Sequence, residues 1–129
     1  MIVLDTHTWI WLVSEPERLN KVVIAADAKV VSSISAWEVA TKASQQKLFL
    51  DRPILDWVVA AHTEPQIRSE PISMQIAVRA GTLGAEGFHG DPADRIIVAT
   101  ALFLRCPLAT MDEKIRDWAK GRTDLSIVW

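Results

Sequence analysis

Asp91-Pro92-Ala93-Asp94-Arg95-Ile96-Ile97-Val98-Ala99-Thr100-Ala101-Leu102-Phe103-Leu104-Arg105 runs, after Cys106, into Pro107-Leu108-Ala109-Thr110-Met111-Asp112. The Asp-Pro pair opens a helix, because Asp caps the first N–H groups and Pro suits the first helical position. From Ile96 to Leu104 the helix is apolar on nearly every face, as expected of a helix packed against a sheet. A strand then ends near Asp112, and a further helix runs to about Lys120.

The same alternation extends toward the N-terminus. Ile2-Val3-Leu4 reads as a buried strand ending at Asp5, with residues 8–13 helical and closing near Ser14-Glu15-Pro16. Lys29-Val30-Val31 is a second strand, and Ser35 opens a helix to about Gln46. Residues 53–61 and 74–83 are helical in pattern, with a short strand expected over 70–73. Gly81, Gly84, Gly87 and Gly90 mark a mobile or tightly turned segment, and residues 125–129 alternate as a last strand. Strands alternating with helices predict one α/β domain over residues 1–129, with a mostly parallel sheet covered on both faces. In such folds the functional crevice lies beyond the carboxyl ends of the strands.

Bulk properties narrow the class. The chain has 129 residues, half of them hydrophobic and 23% charged, which suits a folded globular domain. Its longest strongly apolar run is about half a membrane span, and no signal-peptide pattern opens the sequence. Cys106 is alone, so no internal disulfide forms and a cytoplasmic location is expected. Net charge is −2; removing four negative charges assigned to metal ligands leaves +2, so charge neither favours nor excludes RNA.

Four acids fall at the predicted edge. Asp5 and Asp112 follow strands, while Glu38 and Asp94 sit in the first turns of helices. Unpaired carboxylates repel one another in a partly desolvated cleft, and a hard divalent cation removes that penalty. Such a site activates water and stabilises charge on a phosphate. Plainer roles compete. Ser35 and Glu38 fit a capping box, Glu38 and Lys42 an i,i+4 ion pair, and Asp91 and Asp94 the acidic start of a helix. Asp5 and Asp112 also suit turns after strands, and Asp91 is either a pure cap or a fifth acid near the metal.

The spacing of four segments resembles the PIN-domain proteins, specifically the VapC-type toxin ribonucleases of prokaryotic toxin–antitoxin pairs. Those segments are Ile2-Val3-Leu4-Asp5-Thr6-His7-Thr8, Ser33-Ile34-Ser35-Ala36-Trp37-Glu38-Val39-Ala40-Thr41-Lys42, His89-Gly90-Asp91-Pro92-Ala93-Asp94-Arg95-Ile96-Ile97-Val98-Ala99-Thr100-Ala101 and Pro107-Leu108-Ala109-Thr110-Met111-Asp112. They follow the family's order across nearly the whole chain. The resemblance implies a three-layer α/β/α sandwich that cleaves RNA with Mg²⁺ or Mn²⁺. It makes Asp5, Glu38, Asp94 and Asp112 the four family acids, and implies a homodimer silenced by a small VapB-like antitoxin. Gln46 departs from the Gly that often precedes Lys47-Leu48, and Arg95 follows Asp94 as in one subgroup.

Lys42, Lys47 and Arg95 are candidates for guiding RNA phosphates, against solvated charges or partners of nearby acids. Arg95 equally suits holding Asp91 or Asp94 in place. Trp9, Trp11, Trp37 and Trp57 are expected in the core or at a subunit contact, with base stacking as the alternative. His7, His62 and Cys106 lack zinc-site spacing, and His89 beside Gly90 reads as a loop residue. The expected activity is endoribonuclease action by metal-activated water. Its rivals are a PIN-like RNA- or protein-binding module without catalysis and a phosphoacceptor signalling domain, for which Asp5 lacks the adjacent acidic partner.

Overall fold

Central strands buried on both faces decide the architecture of the computed structural model, which describes residues 1–63, 67–88 and 90–129. β1 (Ile2–Leu4) is wholly buried, and β2 (Lys29–Ser32) likewise, so neither can lie at a wet edge. The helices between them are α1 (Thr6–Ser14) and α2 (Lys21–Ala25), separated by a 3-10 turn at Pro16–Arg18. Then come α3 (Ser33–Ser44), α4 (Ile54–Thr63), β3 (Ile67–Glu70), α5 (Met74–Thr82) and a 3-10 turn at Leu83–Glu86. α6 (Pro92–Leu104), β4 (Leu108–Ala109), α7 (Glu113–Ala119) and β5 (Ile127–Val128) complete the chain.

All strand pairings are parallel, in the order β3-β2-β1-β4-β5. The pleat sends alternate residues to opposite faces. Val3, Val30 and Leu108 meet Ile76, Ile97, Val98 and Ile115 from α5, α6 and α7. Leu4, Val31 and Ala109 meet Trp9, Val23 and Trp57 from α1, α2 and α4. The result is an α/β/α sandwich, each large apolar side chain so buried contributing about 1.5–3 kcal/mol. The order in which strands are added reverses between β1, which leads out to β2, and β4, which is reached by the long return from β3. The carboxyl ends at that switch point border the place where ligands bind in open parallel sheets.

Several local expectations are corrected. Ser32, not Ser35, caps α3 through the Ile34 N–H, so Glu38 closes no capping box. Ser35 lies inside the helix and is buried. The third strand begins at Ile67 and ends at Glu70, because Ser73 is used to cap α5. α2 was not visible as a helix in the sequence: five residues offer too little periodicity. The glycine cluster contains a 3-10 turn closed by Gly87 at φ +82°. At the end of α3, Gln46 takes the left-handed conformation (φ 58°), with its N–H on Ala43 O and the Lys47 N–H on Lys42 O. That is the Schellman ending, and it explains the preference for Gly at this position. Arg105 (φ 52°) ends α6 in the same way.

Candidate functional site

Helix starts assemble the site. Asp5 leaves β1 and caps α1, its Oδ1 accepting the Thr8 N–H at 2.8 Å. Asp91 caps α6 through the Asp94 N–H at 2.8 Å, and Asp112 caps α7 through the Ile115 N–H at 3.0 Å. A cap places a carboxylate against the positive end of a helix, where the backbone favours negative charge. Three such starts meet at the carboxyl edge of β1 and β4. Asp94, one turn into α6, and Glu38, midway along α3, complete a crevice of about 540 Å³ lined by Asp5, Glu38, Asp91, Asp94 and Asp112. His7, Trp11, Lys42, Thr6 and Met111 form the rest of its wall.

Hydroxyls position two of the acids. The Thr6 hydroxyl donates to Glu38 and stands 2.9 Å from the buried Ser35 hydroxyl. The Thr110 hydroxyl donates to Asp5 Oδ2 and accepts the Asp112 N–H at 3.0 Å. Asp5 is thereby engaged through both oxygens and is buried. Thr110 escaped sequence reading, although a Thr two residues before an Asp after a strand is a recognisable turn signal.

Asp94 registers the crowding. Burial chiefly, then the charges of Asp91, Asp112, Glu38 and Asp5, push its carboxyl from the ordinary 3.8 up to about 7. Five carboxylates thus act on one another in a partly enclosed crevice, with Lys42 as the cation on its wall. Among the described residues, no three His, Cys, Asp or Glu side chains are already drawn together as an ion cage. Caps and hydroxyls already occupy oxygens of Asp5, Asp91, Asp112 and Glu38. Mg²⁺ needs no such cage: it keeps several waters and is bound through one or two carboxylates plus substrate oxygens. An all-oxygen, strongly negative donor set therefore fits a hard divalent cation and disfavours zinc.

The basic candidates separate. Lys42 lies on the crevice wall, its Nζ 3.4 Å from His7 Nε2, rather than paired with Glu38. Lys47 is exposed beyond the end of α3 and does not line the crevice. Arg95 holds the preceding loop, donating to Gly90 O at 3.1 Å and Phe88 O at 3.4 Å, and holds neither Asp91 nor Asp94. His89 lies outside the described residues. Of the tryptophans, Trp9 and Trp57 are core residues packed edge to face at 5.3 Å, whereas Trp37 is 60% exposed and Trp11 faces the crevice.

Comparison with known proteins follows the same outline. Residues 2–121 match the model of the PIN domain. The chain is 36% identical over 121 residues to ribonuclease VapC22 of Mycobacterium tuberculosis (strain ATCC 25618 / H37Rv), covering 89% of each. Its fold is similar to a toxin–antitoxin complex from Klebsiella pneumoniae, at TM-score 0.66 and 21% identity, covering 97% of this chain and 95% of that one. It is also similar to VapBC-1 from nontypeable Haemophilus influenzae, at TM-score 0.65 and 23% identity over 98% and 96% of the two chains. A third similar fold is VapBC-5 from Mycobacterium tuberculosis, at TM-score 0.66 and 18% identity over 98% and 95%.

Proposed function

This chain belongs to the PIN-domain family, and from that premise we propose that it is a VapC-type endoribonuclease, the toxin of a toxin–antitoxin pair. The observation that carries the reading is the crevice itself: five acids from four separated segments lining one partly enclosed space at the switch point of a parallel sheet, where burial first and the other four carboxylates second raise Asp94 to about 7. A structural role for each acid does not account for their gathering, because repulsion among them weakens the fold. Asp5, Glu38, Asp94 and Asp112 are the proposed ligands of Mg²⁺ or Mn²⁺, with Asp91 at the margin.

When bound, the cation supplies positive charge for the scissile phosphate and acidifies water. The chain's own residues do the rest. Asp5, locked by Thr8 and Thr110, gives the site one immobile carboxylate. Thr6 and Ser35 fix the reach of Glu38 from α3. Burial and the neighbouring carboxylates raise the Asp94 carboxyl to about 7, so a cation held there would compete with its proton and uptake would tighten as pH rises. Lys42 offers a cation to the RNA backbone at the crevice wall. Water adds to phosphorus in line and gives up a proton while the bond to the leaving ribose oxygen breaks and that oxygen takes one up from solvent.

The partners follow from the family reading. A small VapB-like antitoxin inhibits by placing a positive side chain among the carboxylates, and a homodimer is the expected assembly in the cytoplasm. The toxin–antitoxin complexes of similar fold support a protein partner. Exposed apolar side chains on α5, Met74 and Val78, support a further contact. No helix among the described residues is long and apolar enough to cross a membrane. The test is incubation of the purified protein with labelled RNA, with and without Mg²⁺ or Mn²⁺, beside Asp94→Asn and Asp112→Asn. Ion-dependent cleavage by the parent chain and loss in both variants is the expected result; equal cleavage by all three marks a contaminant and removes the assignment.

A further inference from the structure

One wall of the crevice is built unlike the rest. Lys42 Nζ stands 3.4 Å from His7 Nε2, the His7 and Trp11 rings lie 6.0 Å apart at 47°, and the Arg18 guanidinium sits 4.1 Å above the Trp11 ring. His7 and Trp11 are one helical turn apart on α1, so they share a face, and the 3-10 turn at Pro16–Arg18 folds Arg18 back over the indole. The result is a ladder of ammonium, imidazole, indole and guanidinium whose first three members line the acidic crevice and whose last, Arg18, lines the neighbouring pocket. We propose that this ladder is a stacking platform for the unpaired bases of RNA: a base takes the place of the Arg18 guanidinium over Trp11, and Arg18 and Lys42 turn to flanking phosphates.

The inference rests on the ribonuclease reading and adds the residues that grip the RNA beside the acids. Packing does not explain the ladder. Trp9, two residues earlier, is 2% exposed in the core, whereas Trp11 is only partly buried and borders the crevice. The acids repel a polyanion, so the flanking surface has to supply attraction, and planar rings flanked by cations suit nucleobases and phosphates together. Arg18 also pairs with Glu15 at 3.1 Å, but both side chains are about half exposed, and such a pair is easily exchanged for a phosphate. A duplex keeps its base faces stacked inside the helix and cannot use such a platform. The track continues beyond Met111, where the Arg116 guanidinium stacks 3.4 Å over Trp129, a ring 59% exposed.

The experiment is steady-state cleavage of a labelled, random-sequence, single-stranded RNA oligonucleotide by the intact chain with Mn²⁺. It compares Trp11→Leu, Trp11→Phe and Arg18→Gln. Loss of one stacked base raises KM at least about fivefold in Trp11→Leu, while kcat stays close to the parent value and Trp11→Phe restores most of the loss. Arg18→Gln lowers the slope of log affinity against log salt by about 0.7. Should Trp11→Leu fail to fold, Trp11→Phe and the exposed Arg18→Gln carry the test. An unchanged KM in an active enzyme overturns the platform, leaves the ribonuclease reading standing and assigns the wall to a protein partner. A fall in kcat alone, or equal binding of the same RNA as a duplex, also overturns it. A parent chain that cleaves no RNA with either ion removes the ribonuclease reading and the platform together.

Discussion

Replacing Asp94 by Asn removes the most strained charge among the described residues without changing the side chain's shape. In the folded chain this carboxyl keeps its proton up to about pH 7, whereas an unfolded chain releases it near the ordinary 3.8. Between those values unfolding releases a proton, so rising pH favours the unfolded state. The penalty is absent below about pH 3.8 and complete above about pH 7. Unscreened, it amounts to about 4 kcal/mol. Asp94 is only partly buried and the crevice is open to water, and screening reduces this to about 1–2 kcal/mol. Asn also forfeits a favourable charge at the start of α6, about 0.3–1 kcal/mol. The net expectation at about pH 8, in chelator, is a variant about 1 kcal/mol more stable than the parent, or about 4 °C in Tm. Urea and thermal unfolding across pH measure the difference, which disappears below about pH 4. Added Mn²⁺ reverses the order, since a ligand stabilises only the chain that binds it. If Asp94→Asn is no more stable than the parent at high pH without ions, the acids do not strain one another and the cation argument fails.

Other substitutions probe separate links. Mg²⁺ and Mn²⁺ bind more tightly at about pH 8 than at about pH 6, with proton release detectable by calorimetry in buffers of different ionisation enthalpy. Asp5→Asn retains a cap for α1 and loses RNA cleavage at nearly parental stability, whereas Asp5→Ala loses cleavage and about 1 kcal/mol besides, read by urea unfolding. Gln46→Gly and Arg105→Gly each relieve a left-handed Cβ and raise stability by about 0.5–1 kcal/mol, with cleavage unchanged. At Gly90, a Cβ would stand 3.0 Å from Asp94 Cβ and inside contact distance of the buried Phe88 ring. Gly90→Ala therefore costs about 1–3 kcal/mol and lowers ion affinity, both measurable by titration with Mn²⁺ during unfolding.

The sheet was readable because its signals are local and coincide. Val30 and Val31 announce β2 with β-branched residues, and Asp91-Pro92 announces α6 with a cap and a fixed φ. Asp5, Asp94 and Asp112 were readable for the same reason, since topology sends strand ends and helix starts to one edge; Glu38 was expected in a first turn and instead sits midway along α3, because the helix begins at Ser33. Ser35 misled because two serines, Ser32 and Ser35, both satisfy capping rules, and only the length of β2 decides between them. The roles of Thr110, Trp11 and Arg95 lay beyond local pattern. Thr110 acts on Asp5 across 105 positions of sequence, a neighbour supplied only by the pairing of β1 with β4. Trp11 looked like its core neighbour Trp9 because an apolar helix does not declare which of two faces meets water. Arg95 was judged by its adjacency to Asp94, but its side chain fastens the Phe88 and Gly90 carbonyls instead.

Asp5, Asp91 and Asp112 each serve two masters, starting a helix with one oxygen while lining the crevice, and the second oxygen of Asp5 is held in addition by Thr110. Activity and architecture are consequently hard to separate by mutation: most replacements that silence the crevice also loosen the first turn of α1, α6 or α7. Asn is the exception, keeping the side-chain carbonyl that a helix start requires while discarding the charge. Inactive descendants of this chain that still fold well are accordingly expected to carry Asn, Ser or Thr at these three positions far more often than Ala or Val.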